Sequence, residues 1–507
     1  MLRETQRQYL IAENKSQDEC GVAAISSIAG AALPAMIHNA LIEQQHRGQS
    51  AAGMAFELNG DIEVRKDIGL VNEALPARMV KDLPQAIHTA IGHVRYSTVA
   101  VEGEENERRA SHPYFREAGK YKIAIGKNGH LNNIYELLDA AGRDPRAVLT
   151  DTEGMTELIA DTIDAGASPE EAFAEVLPQL EGAFSIVGLV CGNGTKPGGK
   201  LVVARDGHGF RPLALGRRHG DGWAVTSESG ALVSAGASLI REILPGEMAT
   251  VENGNLFSKQ IIEQHISSLC LMEYIYLARP DTRLRGPNSP EVKAIRVELG
   301  RMLAKVAPVE ADMVFGVPDS GIPAAEGYSA VSGLPQKQGS VKNSYVGRTF
   351  ITTGQDLRAF KARLKQRFLE CDVSGKRVVM VDDSVVRGTT TLAMVEMLRE
   401  AGAIEVHMRV SSPPYRFPCH MGLDTGTRDQ LIAAQFDDVN DIRKELGLDS
   451  LAYLPLNKVL KAVVKLNKKF GVSLESMVGC CTNKAGACTA CFTGEYTTPV
   501  PEHQISL

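Results

Sequence analysis

The chain has 507 residues, of which 44% are hydrophobic and 23% charged, and a formal net charge of -6. That length is too great for one core and predicts two or three domains. The mildly acidic balance, with no basic run, argues against nucleic acid or anionic membrane as a partner.

The first 19 residues mix both charge signs and contain no apolar h-region, so they do not read as a secretory signal. The uncharged stretch 21–37 is broken by glycines and a proline and is short for a bilayer span; a buried strand followed by a helix is expected. Nine cysteines in a large chain without a signal point to reduced thiols, catalysis or metal, and to the cytoplasm. From 20 to about 255, short β-like runs alternate with Gly-rich turns, and helical stretches fall around 34–47 and 153–179. This pattern predicts layered sheets between helices. From about 270, strand and helix alternate, which predicts a parallel α/β domain. Residues 436–507 read as mostly helical with a Cys-rich tail, and no internal repeat is present.

Residues 378–391, VVMVDDSVVRGTTT, are the most informative stretch. A buried strand ending in Asp382 and Asp383 delivers two carboxylates to the C-terminal edge of a parallel sheet, where α/β folds bind ligands. Ser384, Arg387, Gly388, Thr389 and Thr390 follow, just before a helix whose N-terminus favours anions. No GxxxxGK[ST] loop is present, so nucleotide hydrolysis is not implied. Paired acids and a glycine also occur in ordinary βα turns, but the whole run resembles the phosphoribosyl diphosphate signature of type I phosphoribosyltransferases. In the first half, DECGV (18–22), QHRGQSAAGMA (45–55), GHVRYST (92–98), KNGHLNN (127–133) and TDTE (150–153) together resemble the glutaminase domain of class II glutamine amidotransferases, which are N-terminal-nucleophile hydrolases. With both signatures, the chain resembles the amidophosphoribosyltransferase family over nearly its whole length, in its iron–sulfur, propeptide-containing form.

The resemblance implies four segments: a propeptide (1–19), an α+β glutaminase domain of layered sheets and helices (20–255), a phosphoribosyltransferase domain with a parallel sheet (256–435) and a helical, Cys-rich end (436–507). It makes Cys20 the nucleophile. An N-terminal cysteine carries its own base, an α-amino group of pKa about 7.7–8.0, so cleavage between Glu19 and Cys20 is expected to create the active enzyme. Arg95 would clamp the glutamine carboxylate and Asp151 its α-ammonium. Asn128 and the Gly129 backbone would form the oxyanion hole, with Arg47 and Gly48 shaping the pocket. Singly, each also reads as a salt-bridged arginine or a turn residue. The chain departs from the family where VAVEGEENERRASHPYF follows the RY-T segment, and where Lys127 and His130 stand in KNGHL.

In the second half, VFGVPDSGIPAAEGY (314–328) resembles the pyrophosphate-side loop, and KNSYVGRTF (342–350) a mobile loop offering Lys342 and Arg348 to phosphates. Mg²⁺ is expected on Ser320, Asp382, Asp383 and substrate oxygens. The pair Cys488 and Cys491 alone leaves zinc, a redox pair and an iron–sulfur pair open. The resemblance implies a structural [4Fe–4S] cluster on Cys270, Cys419, Cys488 and Cys491. It further implies glutamine and phosphoribosyl diphosphate as substrates, a sequestered apolar path for ammonia, purine nucleotides as inhibitors and a homotetramer. A different reading keeps the fold and drops the chemistry: a regulatory, phosphoribosyl-diphosphate-binding paralogue that is non-catalytic or uses only free ammonia.

Overall fold

The computed structural model describes residues 20–96, 103–192, 198–263, 267–343, 366–425, 427–472 and 486–500. The expected propeptide and Arg348 lie outside the described residues. Among the described residues, no helix is long and apolar enough to cross a membrane.

The first half is two stacked antiparallel sheets. One comprises β1 (Gly21–Ala31), β2 (Ala51–Leu58), β3 (Asp61–Ile68), β4 (Ile87–Arg95), β9 (Ala214–Arg218), β10 (Trp223–Thr226) and β11 (Ala237–Glu242), in the order β11-β9-β10-β1-β4-β2-β3. The other comprises β5 (Tyr114–Ala118), β6 (Tyr121–Leu131), β7 (Gly182–Gly192), β8 (Lys200–Arg205), β12 (Glu247–Glu252) and β13 (Asn255–Gln260), in the order β13-β12-β8-β7-β6-β5. Val22, Ala24 and Ile91 from the first sheet meet Ala124, Val187 and Leu189 from the second in one apolar cluster. Because alternate side chains face opposite sides of a strand, the other faces are left for helices. Leu33–Glu43 covers the first sheet, and Asp151–Asp164 with Pro169–Val176 covers the second.

A two-residue strand, β14 (Leu269–Cys270), leads to the second half. There, β15 (Met313–Gly316), β18 (Arg377–Asp382), β19 (Glu405–Val410) and β20 (Ser450–Tyr453) form a parallel sheet in the order β15-β18-β19-β20. A separate hairpin of β16 (Ser340–Lys342) and β17 (Gln366–Phe368) flanks it. Only Arg377 of β18 is not buried, as expected for a strand covered on both faces. The segment 436–507 is not a separate helical body: β20 completes this sheet, and the helix Leu456–Lys469 buries Val459, Ala462, Val463 and Leu466 in the core shared with Val292–Val306. A local alternation over four residues is too short to distinguish a strand from a loop, which is why the sequence pattern missed β20. Its last strand, β21 (Ala487–Cys488), pairs in parallel with β14.

Candidate active site

Antiparallel pairing positions the first site. Gly21 of β1 faces Val94 of β4, so continuing the register sets Cys20 beside Arg95. The half-buried Cys20 thiol donates weakly to the Tyr96 carbonyl oxygen at 3.9 Å. Burial pushes this thiol above its ordinary pKa, and the positive charges of Lys127 and Arg95 partly offset that. Arg95 is 5% exposed, and its guanidinium has no hydrogen-bonded partner among the described residues. Burial lowers its pKa, against the attraction of Cys20, Glu107 and Asp151. A buried cation left this way is a prepared seat for a carboxylate. Gly48 permits the geometry: a Cβ there would lie 2.6 Å from the Val94 carbonyl carbon and 2.7 Å from that of Arg95.

The second sheet brings β6 to the same place. Asn128 is completely buried, and neither its Oδ1 nor its Nδ2 has a partner among the described residues. Leaving a buried amide unpaired costs about 1–3 kcal/mol, so such a group is poised for something that arrives later. Gly129 has φ +129°, and a Cβ there would fall 2.0 Å from the Ala183 carbonyl oxygen, so only glycine fits. Asp151 starts the helix Asp151–Asp164; its Oδ2 accepts from Leu131 N at 2.9 Å and from Lys127 Nζ at 2.7 Å. Burial alone would raise this carboxyl, but Lys127 and His130 hold it below the usual range.

Arg47, expected to shape the glutamine pocket, lies beside the strand that follows Cys20: a Cβ at Gly21 would stand 3.5 Å from its Cδ. Its guanidinium is 1% exposed and spent on two buried carboxylates: Nε donates to Glu228 Oε1 at 2.5 Å, while Nη1 and Nη2 reach Glu273 at 3.1 and 2.6 Å. Glu228 also accepts from Thr282 Oγ1 and Arg279 N. This hub ties the glutaminase sheets to the segment that leads into the second half. Glu228 and Glu273 lie in no motif, and separations of 181 and 226 residues leave no local signal of the pairing.

The second site sits at the C-terminal edge of the parallel sheet. Asp382 and Asp383 are 1% and 0% exposed. Asp383 accepts from both Ser320 Oγ and Ser384 Oγ, the latter at 2.6 Å, so the loops after β15 and β18 are joined through one carboxylate. Gly388, at φ +81°, turns the chain into the helix Thr389–Glu400; Thr389 is exposed there and Thr390 half-buried. Lys342 Nζ pairs with Asp319 of the facing loop at 2.6 Å. Arg387 is drawn electrostatically to Asp424, and the Tyr96 hydroxyl lies 3.5 Å from Asp424 Oδ2. Since the Tyr96 carbonyl receives the Cys20 thiol, four residues connect the two sites.

The cysteines form a third locus. Cys270 and Cys488 are register partners in β14 and β21, and together with Cys419 and Cys491 they line one hollow floored by Phe210, Tyr415 and Met421. Burial pushes Cys270 up to about 11 and raises Cys488 and Cys491 further, and their mutual repulsion adds to this. Arg211, fully buried, attracts them and donates through Nε to the Met421 carbonyl oxygen at 2.9 Å. A Cβ at Gly422 would come within 2.9 Å of Gly129 Cα, so this cysteine shell rests directly on β6. Cys480 and Cys481 lie outside the described residues.

Residues 98–234 match the family model of a glutamine amidotransferase domain. The amidophosphoribosyltransferase of Mycobacterium tuberculosis is 38% identical over 500 residues, spanning 96% of this chain and 88% of its own length. That of Bacillus subtilis is 38% identical over 97% of each chain. The chain belongs to the amidophosphoribosyltransferase family. It is an enzyme with a glutaminase half and a phosphoribosyltransferase half. Among solved structures, it matches the Bacillus subtilis glutamine phosphoribosylpyrophosphate amidotransferase in complex with ADP and GMP at TM-score 0.82 and 36% identity, over 96% of this chain and 99% of that one. A structure described as the allosteric regulatory enzyme of purine biosynthesis matches equally well, at 0.82 and 36%, over 96% and 98%. Amidophosphoribosyltransferase architecture thus accounts for both sites lying in one chain.

Proposed function

We propose that the protein hydrolyses glutamine at Cys20 and passes the ammonia to C1 of 5-phosphoribosyl 1-diphosphate. The products are glutamate, pyrophosphate and 5-phosphoribosylamine, the entry compound of purine synthesis. The observation that carries this reading is a pair of buried groups beside the thiol that have no hydrogen-bond partner among the described residues, the Arg95 guanidinium and the Asn128 amide. Arg95 seats the substrate carboxylate. Cys20 attacks the side-chain amide, and Asn128 with the Gly129 backbone stabilises the oxyanion. Ammonia leaves, and water resolves the thioester to glutamate. Removal of residues 1–19 would supply the α-amine that takes the thiol proton, which matters because burial raises that thiol. Intact-mass measurement of active protein should find Cys20 as the first residue.

At the second site, Asp382 and Asp383 would hold the ribose hydroxyls, while Ser384, Gly388, Thr389 and Thr390 would cradle the 5-phosphate. Lys342, together with Arg348, would meet the diphosphate. Two carboxylates and the Ser320 hydroxyl are hard oxygen donors of the number Mg²⁺ takes beside substrate phosphates. When bound, the ion would neutralise charge on the leaving diphosphate. Ammonia must stay unprotonated to attack, and the link from Tyr96 to Asp424, which attracts Arg387, favours direct delivery between the sites.

The four thiols, two buried (Cys270, Cys491) and two half-buried (Cys419, Cys488), favour a [4Fe–4S] cluster over zinc. Among the described residues, no three His, Cys, Asp or Glu side chains converge on a single ion, and zinc would demand thiolates at about 2.3 Å from one centre. A polynuclear core holds its thiolates farther apart than one zinc ion does, and all four cysteines line this hollow. It would fasten the C-terminal strand to β14 and take no part in the reaction. Anaerobically purified protein should be brown and contain iron and sulfide. We also assign purine nucleotides as inhibitors and a homotetrameric state, on the family relationship. Glutamine-dependent pyrophosphate release, lost in Cys20→Ala while ammonium salts still support it, tests the main reading; no turnover with either nitrogen source would sink it.

A further inference from the structure

Two acceptors converge beside the nucleophile, and the chain fills both itself. Lys127 Nζ donates to the Gly129 carbonyl oxygen and to Asp151 Oδ2, each at 2.7 Å, with only 2% of its side chain exposed. Glutamine brings a carboxylate, an ammonium group and a side-chain amide. Arg95 awaits the first, and Cys20 with Asn128 the third. Asp151, the half-buried carboxylate expected to receive the ammonium, already holds a cation. Asp151 Oδ2 also takes Leu131 N at 2.9 Å, and His130 Nδ1 lies 3.7 Å away. Only Oδ1 remains, with Thr152 Oγ1 at 3.4 Å. A substrate ammonium would have to share Asp151 with Lys127 against direct repulsion, or expel Lys127 and leave a buried cation to find new partners.

We propose that Lys127 is a specificity-determining residue that supplies the amide-donor pocket with its own ammonium group. The pocket then selects donors by carboxylate and ω-amide, and ω-monoamides lacking an α-amine, such as glutaramate, are accepted beside glutamine. This rests on the assignment of the Cys20 pocket to amide hydrolysis. Atoms balance as for glutamine: water adds, ammonia leaves, and glutarate replaces glutamate.

Protection of Cys20 from iodoacetamide in the processed, full-length protein provides a test independent of turnover. The protecting concentrations of L-glutamate and glutarate should agree within about tenfold, whereas a site built to pair the α-ammonium would discriminate by far more. A wild-type preference for glutamate beyond tenfold overturns the proposal, as does protection by neither ligand. In Lys127→Met the preference should shift toward glutamate by at least about tenfold; an unchanged ratio overturns it as well. The wild-type comparison stands even where that variant does not fold. Amide hydrolysis fails separately: glutarate would still protect, yet no ammonia would be released from glutamine or glutaramate.

Discussion

The two reaction sites are prepared in opposite ways. Beside Cys20, the protein buries a guanidinium and an amide with no hydrogen-bond partner among the described residues, and so stores polar capacity. At the turn after β18, by contrast, Asp383 already accepts from Ser320 and Ser384, and Asp383 N donates to Asp382 Oδ1 at 2.9 Å. The first site is preorganised by vacancy, the second by internal bonds that a ligand must exchange. The difference follows from position. Two facing sheets can clamp side chains rigidly between them, whereas the C-terminal edge of a parallel sheet offers loops, which need tethers to hold their shape.

Arg47 sets the limit of that comparison, since it is buried near the first site but already paired. Arg47→Met should cost about 3–5 kcal/mol of stability by stranding Glu228 and Glu273, read as a fall in thermal midpoint, while the KM for glutamine in the surviving enzyme changes little. A large KM effect without destabilisation would move Arg47 into the pocket. Asn128→Ala should lower kcat with glutamine by about 10²–10³ and leave the ammonium-dependent rate intact; an equal loss with both nitrogen sources would deny the vacancy a catalytic purpose. Ser320→Ala or Ser384→Ala removes one tether of Asp383, worth about 1 kcal/mol. Either should weaken phosphoribosyl diphosphate turnover several-fold with either nitrogen source.

The smallest effect concerns pH. His93 stacks edge-on against His112 at 4.4 Å behind β6, and its Nε2 lies 2.9 Å from the Lys127 carbonyl oxygen. Burial lowers it to about 3. The folded value lies below the unfolded one of about 6.5, so the unfolded chain binds the extra proton first, and stability is lost as pH falls from 6.5 toward 3. Between pH 6.5 and 5.5 the loss should approach about 1 kcal/mol, and His93→Gln should flatten that slope in denaturant titrations.

Much of this was written in local pattern. The apolar run into Asp382, Cys20 just ahead of the apolar run of β1 and the strand–helix alternation after 270 each follow from contiguous residues, whose periodicity reports burial directly. The four cysteines were named from family likeness, and the pairing of Cys270 with Cys488 brings them together. What stayed hidden is pairing at a distance. Nothing near Arg47 announces Glu273, and nothing near Lys127 announces that its ammonium would settle on Asp151, because side-chain partners are chosen by the fold. Lys127 was visible only as a departure from the family's motif. Its meaning required the 2.7 Å contact.

The seam between Gly422 and Gly129 has a practical consequence. Ala183 and Phe210 of the first half are buried against Met421 of the second, and the Arg211 guanidinium finds its carbonyl there. A fragment ending near residue 260 would open that apolar face and strand a cation inside it. The amide-cleaving half is therefore not a portable module: excised, it should aggregate rather than hydrolyse, and fusions seeking to borrow it must carry the thiol-lined cap along.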